Sequence, residues 1–243
     1  MVNRQLDVVL INPASRAQVY QSLATELAAV EPPVWAGLMA NFLLKRGRSA
    51  EILDAGALAL GPDEAAKRVA EMKPKLAVVV VYGQQPSAST QNMPASGAVA
   101  AAIKRAAPDI PVLMVGGHVS SLPERTLREE QADFVCQGEG PYTILGLLER
   151  TDSGHREGFE KVPGLWYREG GKILSTPQAP LMKELDAELG GVAWGLLPMD
   201  RYRAHNWHCF DHIDKRQPYA SVYTTLGCPF KCSFCCITAP FDG

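Results

Sequence analysis

The sequence lacks any apolar stretch long enough to cross a membrane. Its longest run, residues 76–82, falls far short of the roughly 18–20 residues that span a bilayer. It also lacks an excess of either charge. The 24 Lys and Arg stand against 26 Asp and Glu, and a net charge of −2 removes the electrostatic case for nucleic acid or an anionic lipid surface as partner. A leader-like opening is missing too, because MVNRQLDVVLINP passes straight into a strand-like pattern with no apolar core and no small-residue cleavage site. These absences predict a cytoplasmic chain with no membrane insertion.

Cysteines are few and badly spread for a disulfide framework: of the six, Cys228, Cys232, Cys235 and Cys236 fall together near one end. Clustering of this kind favours metal ligation over cross-linking. Two common ligand fingerprints are absent as well. The loop after the first strand-like run reads Asn12-Pro13-Ala14-Ser15-Arg16, without the Gly-x-Gly-x-x-Gly of dinucleotide sites, and no P-loop occurs.

What is present suits a globular core, with 47% hydrophobic and 21% charged residues. Five runs rich in Val, Ile and Leu, at residues 6–12, 50–55, 76–83, 112–117 and 132–138, are continuous rather than alternating. Continuous hydrophobicity marks strands buried on both faces. Helical patterns lie between them. Trp35, Leu38, Met39, Phe42 and Leu43 share one helix face, with Pro33 near the start and Gly47 at the stop. Residues 63–72, 95–107, 123–130 and 141–150 are the other helices. The alternation predicts a doubly wound α/β domain, flavodoxin-like or Rossmann-type, with a five-stranded parallel sheet over residues 1–150. Residues 151–218 read as a linker, with a β-hairpin around Glu169-Gly170-Gly171. Residues 219–243 open a further domain with the strand-like ASVYTT at 220–225.

Cys228-Pro-Phe-Lys-Cys232-Ser-Phe-Cys235 carries the sharpest chemistry. Three thiolates at this spacing can hold three irons of a 4Fe–4S cubane and leave the fourth open for a substrate. A structural zinc site or unpaired thiols are the alternatives, although zinc sites usually join two short Cys pairs and no second pair follows. Cys236 and Cys136 read as packing residues, and His205, His208, Cys209 and His212 as decoration of the linker rather than ligands. Ligands of open α/β sheets bind at the carboxyl ends of the strands. The loops there offer Asn12, then Ser87, Ser89 and Thr90, then Gly116, Gly117 and His118, and finally Gly138, Glu139 and Gly140. Paired glycines permit close backbone approach to a flat ligand, and hydroxyls bond its polar rim.

The stretch GCPFKCSFC, with Phe234 before the third cysteine, resembles the signature of the radical S-adenosylmethionine (SAM) superfamily. Together with the preceding α/β domain and with VGGHVSSLPE, GEGPYT, VPGLWYREGGK and LLPMDRY, it resembles the cobalamin-dependent radical SAM enzymes over almost the whole chain. The resemblance implies that the open iron chelates SAM, whose cleavage yields a 5′-deoxyadenosyl radical, and that Phe234 lies beside SAM. It implies a nucleotide-tail pocket lined by residues 87–90 and 116–118, and a corrin approached by Tyr82, Gly83 and Gln84. It further implies a methyltransferase, with cyclases and ring-rearranging enzymes also in the family. No His occurs before His118, so the cofactor is expected base-off without an imidazole beneath cobalt. A full barrel takes about 200 residues, and residues 236–243 cannot supply it. The barrel, and with it the unknown substrate's site, is therefore expected elsewhere, and this chain alone is expected to be inactive. A cobalamin carrier or sensor module without radical chemistry is the alternative.

Overall fold

Val, Ile, Leu and Ala follow one another in the strands because successive side chains feed two different cores. The structure, a computed structural model, describes residues 5–24, 28–83, 88–152, 158–209, 212–235 and 237–241. The parallel strands are β1 (Val8–Asn12), β2 (Ala50–Asp54), β3 (Leu76–Val80), β4 (Val112–Val115) and β5 (Phe134–Cys136). The helices are α1 (Arg16–Tyr20), α2 (Val34–Lys45), α3 (Pro62–Met72), α4 (Ala88–Gln91), α5 (Met93–Ala106), α6 (Gly117–Ser121), α7 (Pro123–Glu129), α8 (Pro141–Asp152), α9 (Leu185–Glu188) and α10 (Thr238–Phe241). Val8, Leu10, Leu76, Val78 and Val80 pack with α2 and α8. Val9, Ile11, Ala77, Val79 and Val81 pack with α3, α5 and α7 on the opposite face. A sheet covered on both faces has no use for polar alternation, which is why its strands read as unbroken apolar runs.

The five-stranded parallel sheet expected from sequence is correct in its parallel part and too small in total. Among the described residues the sheet has seven strands in the order β2-β1-β3-β4-β5-β6-β7. The hairpin β6 (Leu165–Glu169) and β7 (Lys172–Ser175) adds antiparallel to β5 rather than standing in a linker. Glu169 pairs with Lys172 across a two-residue turn in which Gly170 and Gly171 have φ of 55° and 76°. Two glycines adopt such conformations in succession at low cost, which gives the primed turn that matches strand twist. The hairpin covers the edge of a three-residue strand that would otherwise lie open. The five expected helices appear as α2, α3, α5, α7 and α8 within a few residues; the short α1, α4 and α6 were not anticipated. Residues 220–225, expected as a strand, run as irregular chain. A strand is held by a neighbour's backbone groups, and no strand among the described residues reaches this one.

Beyond the hairpin the chain is strapped along the α/β unit. Asn41 Nδ2 donates to Leu189 O at 2.6 Å, and Ala193 N donates to Gly37 O at 3.1 Å. Arg203 and Val30 exchange backbone hydrogen bonds of 2.9 and 3.0 Å. Arg216 Nη2 donates to Ala28 O at 3.1 Å. No helix among the described residues is long and apolar enough to cross a membrane.

Candidate functional site

The strand order reverses between β1 and β3, and loops leaving the two strands there must diverge and open a crevice. A cleft of about 160 Å³ lies at that point. Asn12, Ser15 and Arg16 from the first loop line it, with Asp54 at the end of β2, Tyr82 and Gly83 after β3, and Gln91 and Asn92 beyond α4. Asp54 is buried but fully served: its Oδ1 accepts from Asn12 Nδ2 at 2.8 Å and Ala57 N at 3.0 Å, and its Oδ2 from Tyr202 Oη at 2.8 Å. Burial raises its pKa despite these donors. Glu31, also at the cleft, is likewise pushed up by burial while its Oε1 accepts from Tyr219 Oη at 3.3 Å. Arg16 Nη1 is buried and has no hydrogen-bond partner among the described residues.

The residues expected to bind a ligand divide into groups. Asn12, Tyr82 and Gly83 line the cleft. Gln84 and Ser87 lie outside the described residues. Ser89, Thr90 and His118 knit the third and fourth loops to each other beside it: Ser89 Oγ donates to Val81 O, His118 N donates to Ser89 Oγ at 2.9 Å, and His118 Nδ1 lies 3.1 Å from Thr90 Oγ1. Gly116 has φ 157°, and a Cβ there would stand 2.4 Å from Val81 O, so glycine at this position serves β3–β4 approach within the protein. Gly117 is buried at the start of α6. The Gly138-Glu139-Gly140 turn faces the strap instead: Glu139 Oε2 accepts from Met182 N at 2.8 Å, and Gly138 N donates to Ser120 Oγ at 3.1 Å. Cys136 is fully buried core, its thiol pushed up to about 12 by burial.

Sequence reasoning missed Asp54, Glu31, Gln91, Asn92 and His205. Asp54 was findable, since a carboxylate ending the strand beside β1 is a recurring feature of such crevices. His205 was not, because it arrives from the strap, 193 positions after Asn12 in the chain (205 − 12). It replaces His118 as the imidazole in the cleft lining. Its Nδ1 accepts from Ala29 N at 3.3 Å, which holds the neutral ring as the Nε2–H tautomer.

The cysteine loop leaves from the same carboxyl edge. Trp35 stacks on Tyr82 with ring centroids 4.4 Å apart and also meets Tyr223 at 5.6 Å and Phe241 at 5.3 Å, so residues on both sides of the loop rest on one indole. Cys232 is exposed, Cys228 and Cys235 are half-buried, and Cys235 N donates to Cys232 O at 3.1 Å. Among the described residues no three Cys, His, Asp or Glu side chains are gathered as for a metal ion, either here or around His205, His208, Cys209 and His212. Cys236 lies outside the described residues. Phe234 is 90% exposed.

An open doubly wound sheet with strand order 2-1-3-4-5 and a polar crevice at its switch point defines a cofactor-binding α/β domain. The chain belongs to the B12 binding domain family, whose pattern matches residues 20–148. An uncharacterized methyltransferase of Pyrococcus horikoshii is 28% identical over 97% of this chain and 46% of its own length. The anaerobic magnesium-protoporphyrin IX monomethyl ester cyclase of Rubrivivax gelatinosus is 27% identical over 89% of this chain and 37% of its own. The chain thus spans less than half the length of these curated relatives. Among solved structures, the cobalamin-dependent S-adenosylmethionine radical enzyme OxsB shares the fold with a TM-score of 0.60 at 14% identity, over 95% of this chain and 28% of that one.

Proposed function

We propose that this chain is the N-terminal portion of a cobalamin-dependent radical SAM enzyme, a cytoplasmic methyltransferase, in which the α/β unit holds cobalamin base-off and Cys228, Cys232 and Cys235 hold a 4Fe–4S cluster. One observation carries the reading. The switch-point cleft of a B12-binding fold and the flanks of the three-cysteine loop meet on a single indole, Trp35.

The residues fit both groups chemically. Three cysteines spaced by three and then two residues, with the adjacent Cys236 read as a packing residue, suit a cluster with one open iron. An unpaired buried guanidinium nitrogen, together with the side-chain amides of Asn12, Gln91 and Asn92, suits a ligand that is rich in carboxamides and carries an anion. When bound, the cluster and the corrin supply one-electron reduction of SAM and a methyl carrier. This chain's own residues bind and shield. Asn12, Tyr82, Gly83, Gln84 and Ser87 approach the cofactor, with Ser89, Thr90, Gly116, Gly117 and His118 shaping the adjoining wall. Gly138, Glu139 and Gly140 hold the strap in place behind them. The Trp35–Tyr82 stack excludes water from the edge, and Phe234 covers SAM.

The test is anaerobic reconstitution followed by iron and sulfide analysis and titration with cobalamin. The expected result is about four irons per chain, lost when Cys228, Cys232 and Cys235 are replaced together by Ala, and corrin binding that survives that replacement. Corrin binding with no cluster in the wild-type chain would support the carrier or sensor reading instead.

A further inference from the structure

We propose that Arg16 is the anion anchor of the switch-point cleft and pairs with the phosphodiester of the cobalamin nucleotide tail; the assignment rests on the cobalamin reading above. Arg16 follows the first loop directly and lines the cleft. Its Nη1 is out of contact with solvent and donates to nothing among the described residues. A buried charged donor without an acceptor costs more than an ordinary lost hydrogen bond, and such an arrangement persists where a ligand completes it.

The surroundings do not neutralise this charge. Asp54 spends its oxygens on Asn12, Ala57 and Tyr202, and Glu31 faces Tyr219. Burial favours the protonated form of both acids. Burial lowers the pKa of Arg203, and the charges of Arg216 and Arg16 lower it further. Positive charge therefore accumulates on this side of the cleft. The cleft of about 160 Å³ has room for a phosphate group with its flanking linkages.

Cobalamin's peripheral acetamides and propionamides are neutral and match Asn12, Gln91 and Asn92 as amide partners. Its nucleotide phosphodiester is an anion, and a guanidinium recognises a phosphate with paired, charge-assisted hydrogen bonds. Arg16 would thus distinguish corrinoids that carry the nucleotide from those that do not.

The experiment titrates the full chain and its Arg16→Gln and Arg16→Lys variants with cobalamin and with cobinamide, which lacks the phosphodiester and nucleotide. Binding is followed by visible absorption, with circular dichroism as a folding control. The wild-type chain is expected to prefer cobalamin. Arg16→Gln should weaken cobalamin binding by about tenfold or more and leave cobinamide binding unchanged, and Arg16→Lys should fall between. Equal weakening of both corrinoids, or of neither, overturns the anchor while the cobalamin reading stands. A wild-type chain that binds neither corrinoid overturns both.

Discussion

Two buried aspartates at opposite ends of the parallel strands respond to pH in opposite senses. At the carboxyl end, burial raises the pKa of Asp54 even though three donors serve it. A raised folded-state pKa gives stability that is complete below the unfolded value of about 3.9 and is lost as pH climbs through the folded value. Replacing Asp54 by Asn keeps an acceptor for Asn12 and removes the titration. Urea unfolding of Asp54→Asn from pH ~4 to ~7 should therefore lose less stability across that range than the wild type does. At the amino end, burial pushes Asp7 up, but hydrogen bonds from Lys75 and Ser49 outweigh it and hold its carboxyl below the usual range. Its contribution is present above ~3.9 and lost as pH falls through the lowered value. Asp7→Asn should cost about 2 kcal/mol at neutral pH and flatten the acid limb of the same curve. An unchanged acid limb would refute the role given to Lys75 and Ser49.

At the level of elements, β3 and β4 approach so closely at their carboxyl ends that residue 116 has no room for a side chain. Gly116→Ala would place a methyl group 2.4 Å from Val81 O at φ 157°. It should lower stability by about 2–4 kcal/mol, seen as an earlier urea midpoint with an unchanged slope. The parallel strands and long helices were legible in the sequence because double-sided burial and helical periodicity both leave compositional traces, as at residues 76–80 and along the Trp35–Phe42 face. The hairpin's place in the sheet was not, since Leu165 and Tyr167 give two-residue alternation without saying which edge they join. The cleft was half legible. Asn12, Tyr82 and Gly83 follow from strand ends, whereas Tyr202 and His205 reach it through contacts more than a hundred residues distant in sequence. The Gly-Glu-Gly turn looked like a ligand loop because internal and ligand-directed close approach make the same demand for glycine.

Across the molecule, Trp35 is the shared footing of the sheet edge and of the C-terminal residues. Trp35→Ala removes the ring on which Tyr82, Tyr223 and Phe241 rest. It should cost about 2 kcal/mol, roughly half the loss expected for a fully buried tryptophan. Faster tryptic cleavage at Lys231, with the α/β unit otherwise intact, should accompany it. Equal cleavage rates in the two proteins would mean that the C-terminal residues are held by other contacts. Val222 and Phe230 are each 70% exposed, so the loop flanks carry apolar surface that these contacts leave uncovered.

The strap also sets a length. Among the described residues Tyr223 meets Trp35 shortly before the cysteine loop, and residues 224–227 separate that fastening from Cys228. Four residues can reach at most about 14 Å when fully extended. The loop is thus a short leash on a fixed post, confined to a small sphere over the carboxyl edge whatever else moves. Confinement at this radius gives two tethered partners a millimolar-scale local concentration toward each other, without any affinity between them. Lengthening the leash would dilute the cysteines away from the cleft and leave every contact within the sheet untouched.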